Sequence, residues 1–195
     1  MPVIGVTGCF GSGKSTVAAM FGRSGAEVFD ADKTVHDLLK GSGPAVTAVV
    51  KVFGPSIISA GGIDRAKLAV CVFNDKKKLK ALTDILHPFA RHQAELFIRR
   101  HDRGRMLVMD VPLLIESGWD SLVDTVVVVK ASQKLQLERL LKRSGTTRKD
   151  ALRRIKMQMP LKKKLKFADH VVDNSGSRSD TYRQVREITK EIKGN

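Results

Sequence analysis

The stretch Gly8-Cys9-Phe10-Gly11-Ser12-Gly13-Lys14-Ser15 matches G-x-x-x-x-G-K-[ST] at every fixed position. Ahead of it Val3-Ile4-Gly5-Val6-Thr7 is short and β-branched and predicts a buried strand. Behind it Ser15-Thr16-Val17-Ala18-Ala19-Met20-Phe21 predicts the first turns of a helix. Strand, glycine loop and helix are the setting in which this pattern cradles phosphate. Gly8, Gly11 and Gly13 let the backbone curl so that successive N–H groups converge on an anion, and the helix N-terminus adds partial positive charge. Lys14 has the reach for the β- and γ-phosphates, and the Ser15 hydroxyl for Mg²⁺; Ser12 and Thr16 complete the nucleotide-binding set. A glycine turn with an incidental lysine is the alternative, and the flanking elements speak against it.

Working outward, strand-like runs alternate with helical ones, which predicts a parallel sheet with helices on both faces. The strands expected are Val3 to Thr7, Glu27 to Phe29, Met106 to Val111, Asp124 to Val129 and His170 to Val172. They are near-continuous apolar runs, as strands covered on both sides should be. The fold expected is α/β: a P-loop NTPase three-layer sandwich with a five-stranded parallel sheet, a helical acceptor-binding insert and a lid. The insert, about 32–104, shows no obvious strand; Gly41-Ser42-Gly43-Pro44 and Gly61-Gly62 break it into helical pieces. One piece runs from Asp75 to Arg100, and Pro88 inside it predicts a kink or boundary. Ser132 is expected to cap a helix to Arg143, a basic helix follows from Arg148 to Met159, and Ser179 to Lys193 closes the chain. The core is thus about 1–31, 105–143 and 165–195, with the lid at about 144–164.

The chain has 195 residues, 42% hydrophobic and 28% charged, enough for one globular domain with insertions. No apolar run is long enough to span a bilayer, and the apolar N-terminus, broken by Gly5 and Gly8, is read as a strand and not a leader. Two distant cysteines without metal-site spacing suggest reduced thiols in a cytoplasmic enzyme. Of the net charge of +15, most lies in residues 130–195, where 19 Lys+Arg face 7 Asp+Glu. Such a field suits a polyanionic small substrate as well as nucleic acid. One Trp and one Tyr offer little for stacking on bases, so no nucleic-acid or membrane partner is expected. Lys76-Lys77-Lys78 and Lys162-Lys163-Lys164 are read as solvated basic faces.

Among phosphate-loop proteins, GTPases are set aside because no N-K-x-D occurs and Asp110-Val111-Pro112-Leu113 is not D-x-x-G. Asp110-Val111 is also not the Asp-Glu pair of many ATPase motors. Small-molecule kinases remain. Within them, four segments occur in order: Asp30-Ala31-Asp32; Ile85-Leu86-His87-Pro88 with Arg91; Val111-Pro112-Leu113-Leu114-Ile115-Glu116; and Ala168-Asp169-His170-Val171-Val172-Asp173-Asn174-Ser175-Gly176. Over nearly its whole length the chain resembles the dephospho-CoA kinase family. Cys9-Phe10 departs from the commoner Gly-Ile of that family's loop, and Ser144 stands where an acidic lid residue is common.

The resemblance implies transfer of the ATP γ-phosphoryl group to the ribose 3′-hydroxyl of dephospho-CoA, with Mg²⁺ as cofactor. It implies Lys14, Asp32 and Arg143 as catalytic residues. Asp32 would orient or deprotonate the acceptor hydroxyl, although an N-cap for Thr34 to Leu39 is the plainer reading. Arg139 and Arg143, four apart, share a helix face fit for gripping phosphates, or simply a solvated one. Thr7, His87, Arg91 and Pro112 are implied at the acceptor; Thr7 could equally be a buried strand hydroxyl and His87 a packing histidine. Asn174 and Gly176 are implied beside adenine, or form an ordinary turn. Asp110 is implied near Mg²⁺, acting through water. A kinase of another small acceptor, and a nucleic-acid-binding P-loop protein, are the competing readings.

Overall fold

In the computed structural model, which describes residues 2–72, 75–100, 104–142 and 147–194, β1 (Val3–Gly8) is the central strand of a five-stranded parallel sheet. Its neighbours are β5 (Leu107–Asp110) and β6 (Thr125–Lys130), with β2 (Glu27–Asp30) and β7 (His170–Asp173) at the edges. The register sets Val6 opposite Asp110 and Val127, and Asp30 opposite Asp110. The carboxyl ends of β1, β2 and β5 therefore finish side by side, the edge at which such sheets bind ligands. All five strands lie where the apolar runs predicted.

Alternation along β1 sorts its side chains between the two faces. Ile4 and Val6 join Val108, Val127, Val129 and Val172 under α1 (Lys14–Arg23) and α9 (Arg178–Gly194), which contribute Val17, Met20, Phe21, Val185 and Ile188. On the opposite face a Cβ at Gly5 would sit 2.6 Å from Leu114, so that side chain can cover β1 only because Gly5 has none. Helix α6 (Gln133–Leu141) starts at the expected cap, with Ser132 Oγ accepting the Leu135 N–H at 3.3 Å. Helix α7 (Arg148–Met157) is capped in the same way by Thr147.

The chain divides into two compact units, Met1–Asp30 with Arg100–Asn195, and Ala31–Arg99. The second contains α2 (Ala31–Leu38), α3 (Pro44–Phe53), α4 (Arg65–Val72) and α5 (Lys76–Arg100, whose last residue belongs to the first unit), around Leu39, Val46, Val49, Ile57, Leu68 and Leu86.

Three expectations for this unit are corrected. It does contain strands: β3 (Ile58–Ser59) and β4 (Gly62–Ile63) form an antiparallel hairpin. Two residues per strand are too few for alternation to show in sequence. Nor does a helix boundary fall at Pro88, which lies inside α5. Proline forfeits one backbone hydrogen bond, but Leu86, Ala90 and Ala94 are buried on both sides of it, and that packing carries the helix past the defect. Finally, Asp32 is not an N-cap. Helix α2 begins at Ala31, straight from β2, and Asp32 is the acidic residue of its first turn, where the helix dipole favours negative charge.

Candidate active site

The loop between β1 and α1 adopts the backbone that only its glycines permit. Gly11 and Gly13 have φ of 83° and 88°. At Gly8 a Cβ would meet the Val129 carbonyl at 2.5 Å. A turn closes with the Ser12 N–H on the Cys9 carbonyl at 3.0 Å, and α1 starts after Gly13 with no side chain capping its N–H groups. An uncapped helix end under a curled loop is an anion site. The Ser12 hydroxyl is buried inside the loop and has no hydrogen-bond partner among the described residues. Lys14 lies across the loop with its ammonium paired to Asp110 Oδ1; both side chains are largely buried. Ser15 and Thr16 are exposed on the first turn of α1.

One limb of the loop is held by α6 and by the turn after β7. Arg139 donates from Nη1 to the Ser12 carbonyl at 3.1 Å and from Nη2 to the Asn174 carbonyl at 3.0 Å. Asn174, buried, donates Nδ2 to the same Ser12 carbonyl at 2.8 Å and accepts the Thr181 hydroxyl at 3.0 Å. A Cβ at Gly13 would collide with that carboxamide. Gly11, Gly13, Thr16, Arg139, Asn174 and Gly176 are among the residues lining a cavity of about 450 Å³ here. The turn itself is secured by Asp173, whose carboxyl is held below the ordinary carboxylate range by hydrogen bonds from Ser175, with Lys130 adding to them.

The other limb is held by the segment that follows α7. Gln158 Oε1 accepts the Phe10 N–H at 2.7 Å, and the Met159 N–H donates to Glu116 at 3.0 Å. Lys164, the last residue of α8 (Leu161–Lys164), has no solvent exposure. Its ammonium is 2.9 Å from both Glu116 carboxylate oxygens, 3.2 Å from the Pro112 carbonyl and 3.4 Å from Thr7 Oγ1. The reading of Lys162-Lys163-Lys164 as a solvated face is thus wrong at Lys164. Three consecutive lysines cannot all face one way on a helix turn, and here the third points inward to a carboxylate. Thr7 is buried as well; its hydroxyl donates to the Pro112 carbonyl at 3.1 Å and ties β1 to the turn after β5. Cys9, close to this pair, has its thiol pushed up by burial, against the lowering effect of the Lys164 charge.

Of the residues singled out in the sequence, Gly8, Gly11, Ser12, Gly13, Lys14, Ser15, Thr16, Asp110, Arg139, Asn174 and Gly176 come together around this loop. Asp30, of the Asp30-Ala31-Asp32 segment, is the register neighbour of Asp110. Asp32, His87 and Arg91 belong to the second unit, where Arg91 Nε donates to Glu95 at 3.2 Å within α5. Arg143 and Ser144 lie outside the described residues. Gln158 went unnoticed in the sequence, and Lys164 was read there only as part of a solvated basic face. The sequence carried Glu116 only as part of the P-L-L-x-E segment, with no sign of the buried cation it meets.

A parallel sheet in the order β2-β5-β1-β6-β7, a lysine-bearing phosphate loop after its central strand and a helical second unit define a P-loop kinase. The model of the dephospho-CoA kinase family matches residues 2–180. The dephospho-CoA kinase of Aquifex aeolicus is 42% identical, covering 98% of each chain. Two solved structures are similar throughout: TT1252 of Thermus thermophilus (TM-score 0.80, 33% identity, 98% and 97% coverage) and the dephospho-CoA kinase of Campylobacter jejuni (0.74, 28%, 99% and 98%). The chain belongs to the dephospho-CoA kinase family.

Proposed function

We propose that this protein phosphorylates the ribose 3′-hydroxyl of dephospho-CoA with ATP, giving coenzyme A and ADP. The observation that carries the reading is the ordered phosphate loop with Lys14 and Asp110 at its floor, in a chain of this family. In the reaction the 3′-oxygen attacks the γ-phosphorus, the bond from that phosphorus to the β–γ bridging oxygen breaks, and the hydroxyl proton leaves to a carboxylate. Lys14 would release Asp110 and neutralise charge gathering on the β/γ-phosphates. Asp32, two residues beyond the end of β2, is assigned the acceptor hydroxyl. His87, Arg91 and Pro112 are assigned to the acceptor's binding, and Thr7 acts there by holding Pro112. Arg143, the residue before a lid assigned to about 144–164, is assigned to the transferring phosphoryl group, and the 32–104 insert to the CoA moiety.

A divalent ion fits the donor set. The Ser15 hydroxyl and Asp110 carboxylate are hard oxygen ligands of the kind Mg²⁺ takes together with phosphate oxygens and water. Mg²⁺ supplies charge neutralisation on the triphosphate when bound. No helix among the described residues is long and apolar enough to cross a membrane, in keeping with a cytoplasmic enzyme.

The test is a coupled assay with Mg-ATP over dephospho-CoA, AMP, adenosine and shikimate. ADP release that requires dephospho-CoA is expected. Equal or faster turnover of another acceptor would refute the substrate assignment. A gel-shift titration with nucleic acid across a salt series checks the basic C-terminal third; tight, steeply salt-dependent binding would favour the nucleic-acid reading.

A further inference from the structure

The phosphate loop is gripped at two places, and the grips differ in kind. On the Ser12–Gly13 limb, Arg139 and Asn174 bind a carbonyl oxygen and leave the loop's N–H groups alone. On the Phe10 limb, Gln158 binds an N–H, the same class of group that the loop offers to phosphate. A neutral acceptor on that N–H fixes the carboxamide's orientation, because only Oε1 can accept. Nε2 makes no hydrogen bond to any described residue. It lies within about 5 Å of the Phe10 nitrogen, since the two ends of a carboxamide are only about 2.3 Å apart.

Gln158 is not a wandering surface side chain. The backbone after it is pinned by the Met159 N–H on Glu116, and the segment ends at the buried Lys164. The cavity beside Arg139, Asn174 and Gly176 gives room for a nucleoside on the opposite limb, and a phosphate chain leaving it along the loop would run from Gly13 towards Phe10. The terminal group of a chain bound in that direction would face Gln158.

We infer that Gln158 is a triphosphate-selecting residue: Oε1 keeps Phe10 in place while Nε2 donates to the γ-phosphoryl oxygens. The inference rests on the ATP-dependent reading above and adds to it a contact that distinguishes ATP from ADP. A carboxamide suits the position because it offers an acceptor to the loop and a donor to the anion from one rigid group. A carboxylate could offer only the first.

The substitution Gln158→Glu separates these halves. It keeps size and the acceptor for Phe10, and it replaces the donor with a negative oxygen facing the γ-phosphoryl group. Calorimetric titration of the full chain with Mg²⁺ and the β,γ-imido analogue of ATP, and separately with Mg-ADP, reads the effect. The dissociation constant for the ATP analogue should rise roughly tenfold or more, as one like-charge contact at a partly screened site requires, and that for ADP by less than about twofold. Should Gln158→Glu fail to fold, Gln158→Ala serves: loss of a single donor should weaken the analogue by about three- to tenfold and spare ADP. Equal weakening of both nucleotides means Gln158 only shapes the loop, and no weakening of either means it touches nothing; both overturn the inference. An unaltered chain that binds neither nucleotide overturns the kinase reading itself.

Discussion

In the Lys164–Glu116 ion pair one partner has no solvent exposure, and the coupling of the two side chains can be measured. Glu116→Gln removes the charge opposite a fully buried ammonium. The Pro112 carbonyl, Thr7 Oγ1 and one amide oxygen remain as acceptors, so the loss should fall at about 2–4 kcal/mol, at or below the usual cost of stranding a buried charge. Lys164→Met substitutes an apolar chain of similar length. Glu116 then keeps the Met159 N–H and its 21% exposure to water, and the loss should be smaller, about 1–2 kcal/mol. With both substitutions no charge is stranded, so the double variant should lose less than the sum by about 1.5–3 kcal/mol. Urea unfolding followed by Trp119 fluorescence suits the purpose. Trp119 is the single tryptophan, buried, three residues past Glu116 and in the same compact unit, so its signal reports that unit. Additive losses, or a Glu116→Gln variant as stable as the original, would show that the pair does not anchor the 158–164 segment.

Lys14→Ala should fold normally and lower kcat by several orders of magnitude, since it removes a cation that acts on charge developing in the transition state; near-normal turnover contradicts phosphoryl transfer at this loop. Asp32→Asn should lower kcat strongly while leaving ATP affinity unchanged. If Asp32 serves only the dipole of α2, turnover survives and stability drops by a few tenths of a kcal/mol at most, roughly the value of an exposed first-turn carboxylate. Asp173→Asn tests a pH dependence. The folded-state pKa of Asp173 is lowered, so its stabilisation is present above the ordinary carboxylate range and is lost as pH falls through the folded value. With its side chain 46% exposed, screening limits the neutral-pH loss to under about 1 kcal/mol, and the difference from the original chain should vanish in acid unfolding curves. A difference that persists below that range assigns the effect to geometry.

The fold was legible because its evidence is local and repeated. Five apolar runs, four of them followed by a helical pattern, leave little choice but a parallel sheet, and the loop of Gly8 to Ser15 marks its central strand. What escaped notice was either too short or governed by packing. The Ile58–Ser59 and Gly62–Ile63 hairpin is below the length at which a period can be read. Pro88 carries a strong local signal for a break, and a long helix buried on both sides of it overrides that signal.

The site divides along a similar line. Residues whose duty depends on backbone shape, such as Gly11 and Gly13, announce themselves, because few other residues could take their φ. Those whose duty depends on a partner far along the chain do not. Gln158 meets Phe10 across 148 positions and Lys164 meets Glu116 across 48, and neither helix pattern nor charge count encodes such meetings. The distribution of charge is instructive here. Nineteen basic residues in the last third look like one electrostatic field, yet the three with the best-defined places use their charge differently. Lys130 supports the Asp173 turn, Arg139 holds two main-chain carbonyls, and Lys164 is sealed inside. A field would be weakened evenly by salt, as would the half-exposed Lys130–Asp173 pair, whereas the Arg139 and Lys164 contacts, being short and more deeply buried, would be weakened far less. Stability of the loop should therefore outlast, in high salt, any attraction the same basic residues exert on a polyanionic acceptor. The two roles of the positive charge can be told apart by ionic strength alone.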